Sequence, residues 1–351
     1  MTRPGSRLRP HATVLVTGAS GFIGSAVTEE LFRKGFGVVA TGRELVKFEE
    51  LREKFGPSQR YTVVEVRDME ADDAFREAIQ GCSAVIHCAH DLSWSRGVEE
   101  TVEGSKRALY NLLEEARRAG TVRAFAYTSS RHAWFKAHGD MKAEQYVGPD
   151  EMIHDAYERA LAMPQGDHDT YYMTYSAAKV ECEKLALQYA KDHKPGFVVN
   201  TLAPDFTIGA PSNPRSLRYS SHSVLRGFVE CDGDPSFLHA FTSPATFWVA
   251  IADIAAVLVA LVTDPEVSGV RILGATGLFC GEDFLDIARR FDGRDVHDKS
   301  RSTLQRNEGL RAPEAIEAFK ALVRKHCQRE PIDLKTCVLE NIRHQHSLVY
   351  P

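Results

Sequence analysis

Residues 13–24 read Thr13-Val14-Leu15-Val16-Thr17-Gly18-Ala19-Ser20-Gly21-Phe22-Ile23-Gly24. Thr13–Thr17 is short, apolar and β-branched, the pattern of a strand buried on both faces. Three glycines follow at once, and an amphipathic stretch, Ser25–Lys34, then runs to Gly35. Strand, glycine turn and helix in that order aim backbone N–H groups at a point where a pyrophosphate can approach closely. Three glycines alone are common in turns; the strand before them and the helix after them make the signal specific. Gly18, Ser20, Gly21, Phe22, Ile23 and Gly24 are the candidate contacts to such a ligand.

Apolar runs and helical stretches alternate beyond this point. Strands are expected at Val38–Thr41, Tyr61–Val66, Ala84–Cys88, Ala124–Thr128 and Phe197–Leu202. Helices are expected at Glu44–Phe55, Asp72–Ile79, Thr101–Ala119 and Ser176–Ala190. The alternation predicts an α/β fold: a Rossmann-type doubly wound parallel sheet with a smaller C-terminal substrate-binding lobe. It breaks between Arg131 and Asp169, where a short helix capped by Asp150 would bury Met152, Ile153, Ala156, Tyr157 and Ala160. From Ala203 the chain turns Pro-, Gly- and Ser-rich, and Phe247–Val262 reads as a strand and helix returning to the main core. The expected division is an N-terminal extension (1–11), a dinucleotide-binding domain (12–205, rejoined by 245–273), and a lobe with a C-terminal tail (206–244 and 274–351). Within the tail, Pro313–Lys325 has helical character.

Composition narrows the function. The 351 residues are 43% hydrophobic and 26% charged with a net charge of −5, so no basic stripe is available to track nucleic acid. The seven cysteines are odd in number and form no Cys-x-x-Cys pair, which points to a reducing, cytoplasmic setting rather than a disulfide framework or zinc knuckle. No apolar h-region follows the N-terminal arginines, and the longest apolar run contains Asp253, so neither a secretory signal nor a membrane span is expected.

The second strand ends in Thr41-Gly42-Arg43, with Lys47 one turn on. An acidic residue there would hold the ribose 2′-hydroxyl of NAD; a guanidinium and an ammonium suit the 2′-phosphate of NADP(H). Further along, Tyr175-Ser176-Ala177-Ala178-Lys179 sets a phenol and an amine four residues apart on one helical face. An ammonium near a phenol stabilises the phenolate, so Tyr175 could serve as general acid to a carbonyl oxygen as hydride arrives from a nicotinamide. The fifth strand ends in Tyr127-Thr128-Ser129-Ser130. Ser130, or alternatively Ser129, could donate to the substrate oxygen from the carboxyl edge of the sheet.

Together these residues resemble the extended branch of the short-chain dehydrogenase/reductase family, and within it dihydroflavonol 4-reductases and the related fungal aldehyde and ketone reductases. The resemblance spans about residues 12–290 and is specific in the first two hundred. It implies adenine contacts at Asp68 and Met69, nicotinamide-side contacts at Ala89 and Pro204, and NADPH-dependent carbonyl reduction by Ser130, Tyr175 and Lys179, with Lys179 also on the nicotinamide ribose. Thr101-Val102-Glu103-Gly104 and Glu183-Lys184-Leu185-Ala186 match it as well. The 45 residues from Ser130 to Tyr175 are more than such enzymes usually carry, Ala203 stands where an Asn often precedes the proline, and Asp253 is retained in the returning segment.

Aromatic and polar residues beside these positions, namely Trp94, Arg131, His132, Trp134, Tyr171, Asp205 and Phe206, are candidates to line an apolar pocket for an aryl or natural-product-like carbonyl compound. Asp205 could meet a substrate hydroxyl, but a surface or capping role is the favoured reading. His87 reads as a hydrogen-bonded core residue, and Asp167-His168-Asp169 lacks the spacing of a metal site, so no metal is expected. A sterol (3β-hydroxysteroid-type) dehydrogenase or a nucleotide-sugar epimerase/dehydratase would share the constellation, and Arg43 argues against the latter. A dinucleotide-sensing protein without turnover is the non-enzyme alternative.

Overall fold

A computed structural model describes residues 6–56, 60–91, 96–136, 144–164, 168–214, 221–222, 246–292 and 309–349. In chain order the elements are β1 (Thr13–Thr17), α1 (Phe22–Arg33), β2 (Gly37–Gly42), α2 (Glu49–Phe55), β3 (Tyr61–Glu65), β4 (Cys82–His87), α3 (Val98–Ala119), β5 (Ala124–Thr128), α4 (Arg131–Trp134), β6 (Gln145–Tyr146), α5 (Ala156–Leu161) and α6 (His168–His193). There follow β7 (Val198–Pro204), β8 (Phe206–Ile208), β9 (Thr246–Ala250), α7 (Ile251–Thr263), β10 (Arg271–Gly274), β11 (Gly277–Phe279), α8 (Gly281–Asp292), β12 (Leu310–Arg311), α9 (Pro313–Cys327) and α10 (Leu334–Val349).

Seven strands form one sheet in the order β10-β7-β5-β4-β1-β2-β3, and every pairing is parallel. Strand order reverses about β1, so the chain winds out in both directions, as in a Rossmann-type fold. Such a sheet needs apolar residues on both faces; β5, with all five residues buried, is typical. Registers of Thr17 with Thr41 and His87, and of Thr128 with Leu202, bring the carboxyl ends of β1, β2, β4, β5 and β7 to a common edge. Ligands bind outside that edge in open α/β sheets.

The apolar run at 247–262 divides between two sheets' worth of packing. Its helix, α7, buries every residue except Ala252 and packs on α1 and the main sheet. Its strand, β9, instead joins a second, three-stranded sheet in the order β11-β9-β8. Asp253 survives inside this apolar helix because Arg329 pairs with it at 2.6 Å and the Ile332 amide donates to it at 2.9 Å. Asp264 likewise holds Lys325 at 2.6 Å and His326 at 2.9 Å. The C-terminal tail is thereby fastened to the core. No described helix is long and apolar enough to cross a membrane.

Three local expectations change. The helix expected at 72–79 is a run of successive turns, because Asp73 adopts φ +61°, which interrupts any helical ladder. The stretch 44–55 divides into a 3₁₀ turn over Leu45–Phe48 and α2. The short helix of the insert begins at Ala156, after Asp155 rather than Asp150, although Ala156 and Ala160 are buried as expected.

Candidate active site

The glycine loop packs against the end of β4. Gly18 has φ +62°, and a Cβ on it would lie 2.9 Å from the Ala89 backbone. A Cβ on Gly24 would come within 2.2 Å of the Gly18 carbonyl oxygen. Only glycine permits both approaches. Gly21 stands at the start of α1, and no side chain caps that helix N-terminus. Phe22 turns its ring inward against His222, 5.5 Å between centroids, and Ile23 packs on the main core, so of these two residues only the backbone is left for a ligand. The fully buried Asn213 braces the loop from outside, donating to the Ser20 carbonyl at 2.8 Å and the Lys47 carbonyl at 3.0 Å.

Beneath the loop, Thr17 Oγ1 accepts from the Ala89 amide at 3.2 Å and shares a 2.6 Å hydrogen bond with His87 Nδ1. Burial, aided by the Lys179 charge, pushes the His87 imidazole down to about 3, so it is neutral. It is a bonded core residue, as expected.

A cavity of about 150 Å³ opens beside the loop and is lined by Arg43, Asp68, Met69, Ala89, His90 and Asp91 among others. Four residues expected to touch the dinucleotide thus meet around one space, although they come from the ends of three different strands. Arg43 is half exposed and lies 3.4 Å from Asp91 Oδ1. Lys47, in the 3₁₀ turn, does not line the cavity and pairs with Glu44 at 2.5 Å. Pro204 ends β7 opposite Gly274 of β10. An uncapped helix N-terminus above a cavity carrying a guanidinium fits a nicotinamide dinucleotide.

Helix α6 carries both Tyr175 and Lys179. Lys179 is 3% exposed; its Nζ donates to the Thr128 carbonyl at 2.9 Å, 5.3 Å from the Tyr127 ring centre and 5.8 Å from that of Tyr175. Ser129 and Ser130 are separated by their partners. Ser129 donates to buried Glu183 at 2.7 Å, whereas Ser130 caps α4, accepting from the His132 amide at 3.3 Å. Ser176 donates to the His132 carbonyl, which fastens α6 to α4 beside Ser130.

Two histidines frame Tyr175. The His132 ring meets it edge-on at 5.6 Å and stacks on Tyr172 at 6.3 Å. His90, which sequence reading passed over, meets it edge-on from the other element at 5.1 Å. Burial, with a nearby cation in each case, holds both imidazoles well below their usual range. The signal for His90 was its place three residues past the end of β4, at the ligand-binding edge.

Of the residues expected to line a substrate pocket, His132 stands against Tyr175, and others take different positions. Trp94 lies outside the described residues, and Tyr171 is half-buried near the start of α6. Trp134 is 1% exposed, a core residue with the Arg271 guanidinium 4.5 Å above its ring, so it offers no pocket wall. Asp205 is a clamp, the structural role that its sequence reading favours. It accepts from the amides of Phe206 at 2.8 Å and Phe247 at 2.9 Å, takes the Thr246 hydroxyl, and pairs with Arg131 at 3.2 Å. Burial raises its carboxyl group above the usual range in spite of Arg131. The backbone of β8 leads Phe206 into the second sheet, where it stacks on Phe279 at 5.4 Å. Asp167 lies outside the described residues, among which no three His, Cys, Asp or Glu side chains gather to hold a metal.

Fold and site together define an oxidoreductase scaffold of the extended short-chain dehydrogenase/reductase type. The chain belongs to the NAD dependent epimerase/dehydratase family, whose model matches residues 14–270. It is similar to a ketoreductase of Aspergillus novofumigatus, 30% identical over 285 residues that cover 80% of this chain and 81% of that one. Aldehyde reductase 2 of Sporidiobolus salmonicolor is 26% identical over 268 residues, 76% of this chain and 77% of the other. Among solved structures, yeast methylglyoxal/isovaleraldehyde reductase Gre2 complexed with NADPH shares the fold, with a TM-score of 0.75 at 17% identity over 96% of this chain and 99% of that one.

Proposed function

We propose that this protein is an NADPH-dependent reductase of an aldehyde or ketone, an aryl or natural-product-like carbonyl compound being the substrate class. The observation that carries it is the state of Lys179. Among the described residues this buried ammonium has one carbonyl acceptor and no carboxylate within ion-pairing distance. An uncompensated buried charge is costly unless an anion forms beside it. The phenolate that Tyr175, one helical turn away, would become on giving up its proton is such an anion.

When bound, the dinucleotide supplies a hydride to the carbonyl carbon. The glycine loop and the α1 N-terminus would hold its diphosphate, Asp68 and Met69 its adenine, Arg43 its 2′-phosphate, and Ala89 and Pro204 its nicotinamide side; Lys47, paired with Glu44 outside the cavity, is set aside. Tyr175 donates its phenolic proton to the carbonyl oxygen, and Ser130 donates a hydrogen bond to the same oxygen while negative charge develops there. Lys179 then stabilises the phenolate and would also hold the nicotinamide ribose. The neutral His90 and His132 add no competing charge at the phenol. The similar ketoreductase and aldehyde reductase support this direction of chemistry.

The test is turnover of NADPH, with NADH in parallel, against aliphatic, aryl and steroidal carbonyl compounds. Tyr175→Phe should lower kcat by about 10²–10⁴-fold while NADPH binding, read by fluorescence, survives. Wild-type turnover in that variant would sink the assignment of the acid.

A further inference from the structure

Both cations offered to a 2′-phosphate already have carboxylate partners, and the two pairs differ in place. Lys47 and Glu44 pair across an exposed turn, their side chains 45% and 54% accessible, and neither lines the cavity. Asp91, by contrast, lines the same cavity as Arg43 and Asp68, with its side chain 26% accessible. Asp68 is beyond ion-pairing distance of Arg43, whose carboxylate partner is Asp91, and its Oδ1 accepts from the Glu70 amide at 2.8 Å.

We propose that Asp91 is a specificity-determining residue of the cofactor site: an internal anion that holds Arg43 at the adenosine end of the cavity and yields it to a 2′-phosphate. The inference rests on the NADPH reading above. The Arg43–Asp91 contact is a single 3.4 Å approach, long and monodentate. A phosphate can instead engage the guanidinium through two parallel donors, so the exchange is downhill. Asp91 nonetheless opposes it twice, as a competitor for the cation and as a like charge facing the phosphate. An unphosphorylated dinucleotide, carrying a hydroxyl there, need not break the pair. The carboxylate therefore sets the preference between the two cofactors. Asp91 follows β4 by four residues, so the strand that also carries Ala89 and His90 to the sheet edge fixes its position.

Calorimetric titration with NADP⁺ and with NAD⁺ tests this on the wild type, Asp91→Asn, Arg43→Ala and the double variant. Asp91→Asn should bind NADP⁺ about two- to fivefold more tightly, the range expected of an exposed ion pair, and NAD⁺ as before. In the Arg43→Ala background the gain should vanish. Unchanged NADP⁺ affinity in Asp91→Asn, with NADP⁺ weakened by Arg43→Ala, overturns the role of Asp91 and leaves the selector intact. Equal tightening toward both dinucleotides overturns it also, as a general field effect. If Arg43→Ala leaves both affinities unchanged, Arg43 is not the selector and the NADPH reading falls with the proposal. Asp91→Ser is the second variant should the amide fail to fold.

Discussion

Glu183 follows Lys179 by one helical turn and is completely buried. Its carboxylate receives Ser129 Oγ at 2.7 Å, Thr201 Oγ1 at 2.8 Å and Arg271 Nε at 3.0 Å. The single centre thus joins β5, β7, β10 and α6. Glu183→Gln preserves shape but removes the charge and turns an NH₂ group toward donors, leaving the Arg271 guanidinium, 14% accessible, without a counter-ion. Breaking one side of a buried pair costs about 3–5 kcal/mol; the remaining amide oxygen can still accept, so about 3 kcal/mol is expected. Arg271→Met should cost about as much, because it strands the carboxylate and removes the stacking on Trp134, worth roughly 0.5–2 kcal/mol. The double variant loses both charges together and should be less damaged than the sum of the singles by about 2 kcal/mol. Urea denaturation followed by circular dichroism reads all four proteins, with shifts in midpoint converted through a common slope. Singles that each cost under about 1 kcal/mol and add within about 0.5 kcal/mol would refute the idea that this carboxylate is a centre of stability.

Gly24→Ala should distort the cofactor loop, since its new Cβ would meet backbone atoms of Gly18 at 2.2 and 2.8 Å; a stability loss of about 1–3 kcal/mol and NADP⁺ affinity lowered on the order of tenfold are expected, whereas Gly148→Ala, with only the Tyr146 ring at 3.7 Å, should be neutral in both. Stability should also respond to mild acid through His87. Its folded-state value of about 3 lies below the ordinary 6.5, so the unfolded chain binds the extra proton and stability present above pH 6.5 is lost as pH falls toward 3. Between pH 7.5 and 5.5 this contributes a loss of about 1.4 kcal/mol, and His87→Asn should lose that much less over the same interval in urea titrations; equal pH dependence in the two proteins would show that His87 does not stay neutral in the fold.

The elements that sequence alone could specify are those whose information is local. A β-branched run ending in glycine, an amphipathic period, and a phenol and an amine four residues apart on one helix each need no knowledge of the rest of the chain, and β1, α1 and the Tyr175–Lys179 pair stand where they were expected. Even local patterns fail where one residue takes an unusual backbone angle, as at Asp73.

Partner choice is another matter, because it depends on which elements meet. Ser129 and Ser130 are equivalent in composition, and they separate only because α6 brings Glu183 under the first while α4 begins at the second. Trp134, Asp205 and Phe206 look like pocket residues in a polar, aromatic stretch. The second sheet and Arg271 bury them instead, since apolar surface and unpaired charge are driven toward whatever neighbour the fold supplies. His90, Asn213 and the Arg43–Asp91 pair bridge segments far apart in the chain. Residue type and spacing specify the strand, the turn and the helical face; tertiary packing alone selects which of the many polar groups at the sheet edge touch one another.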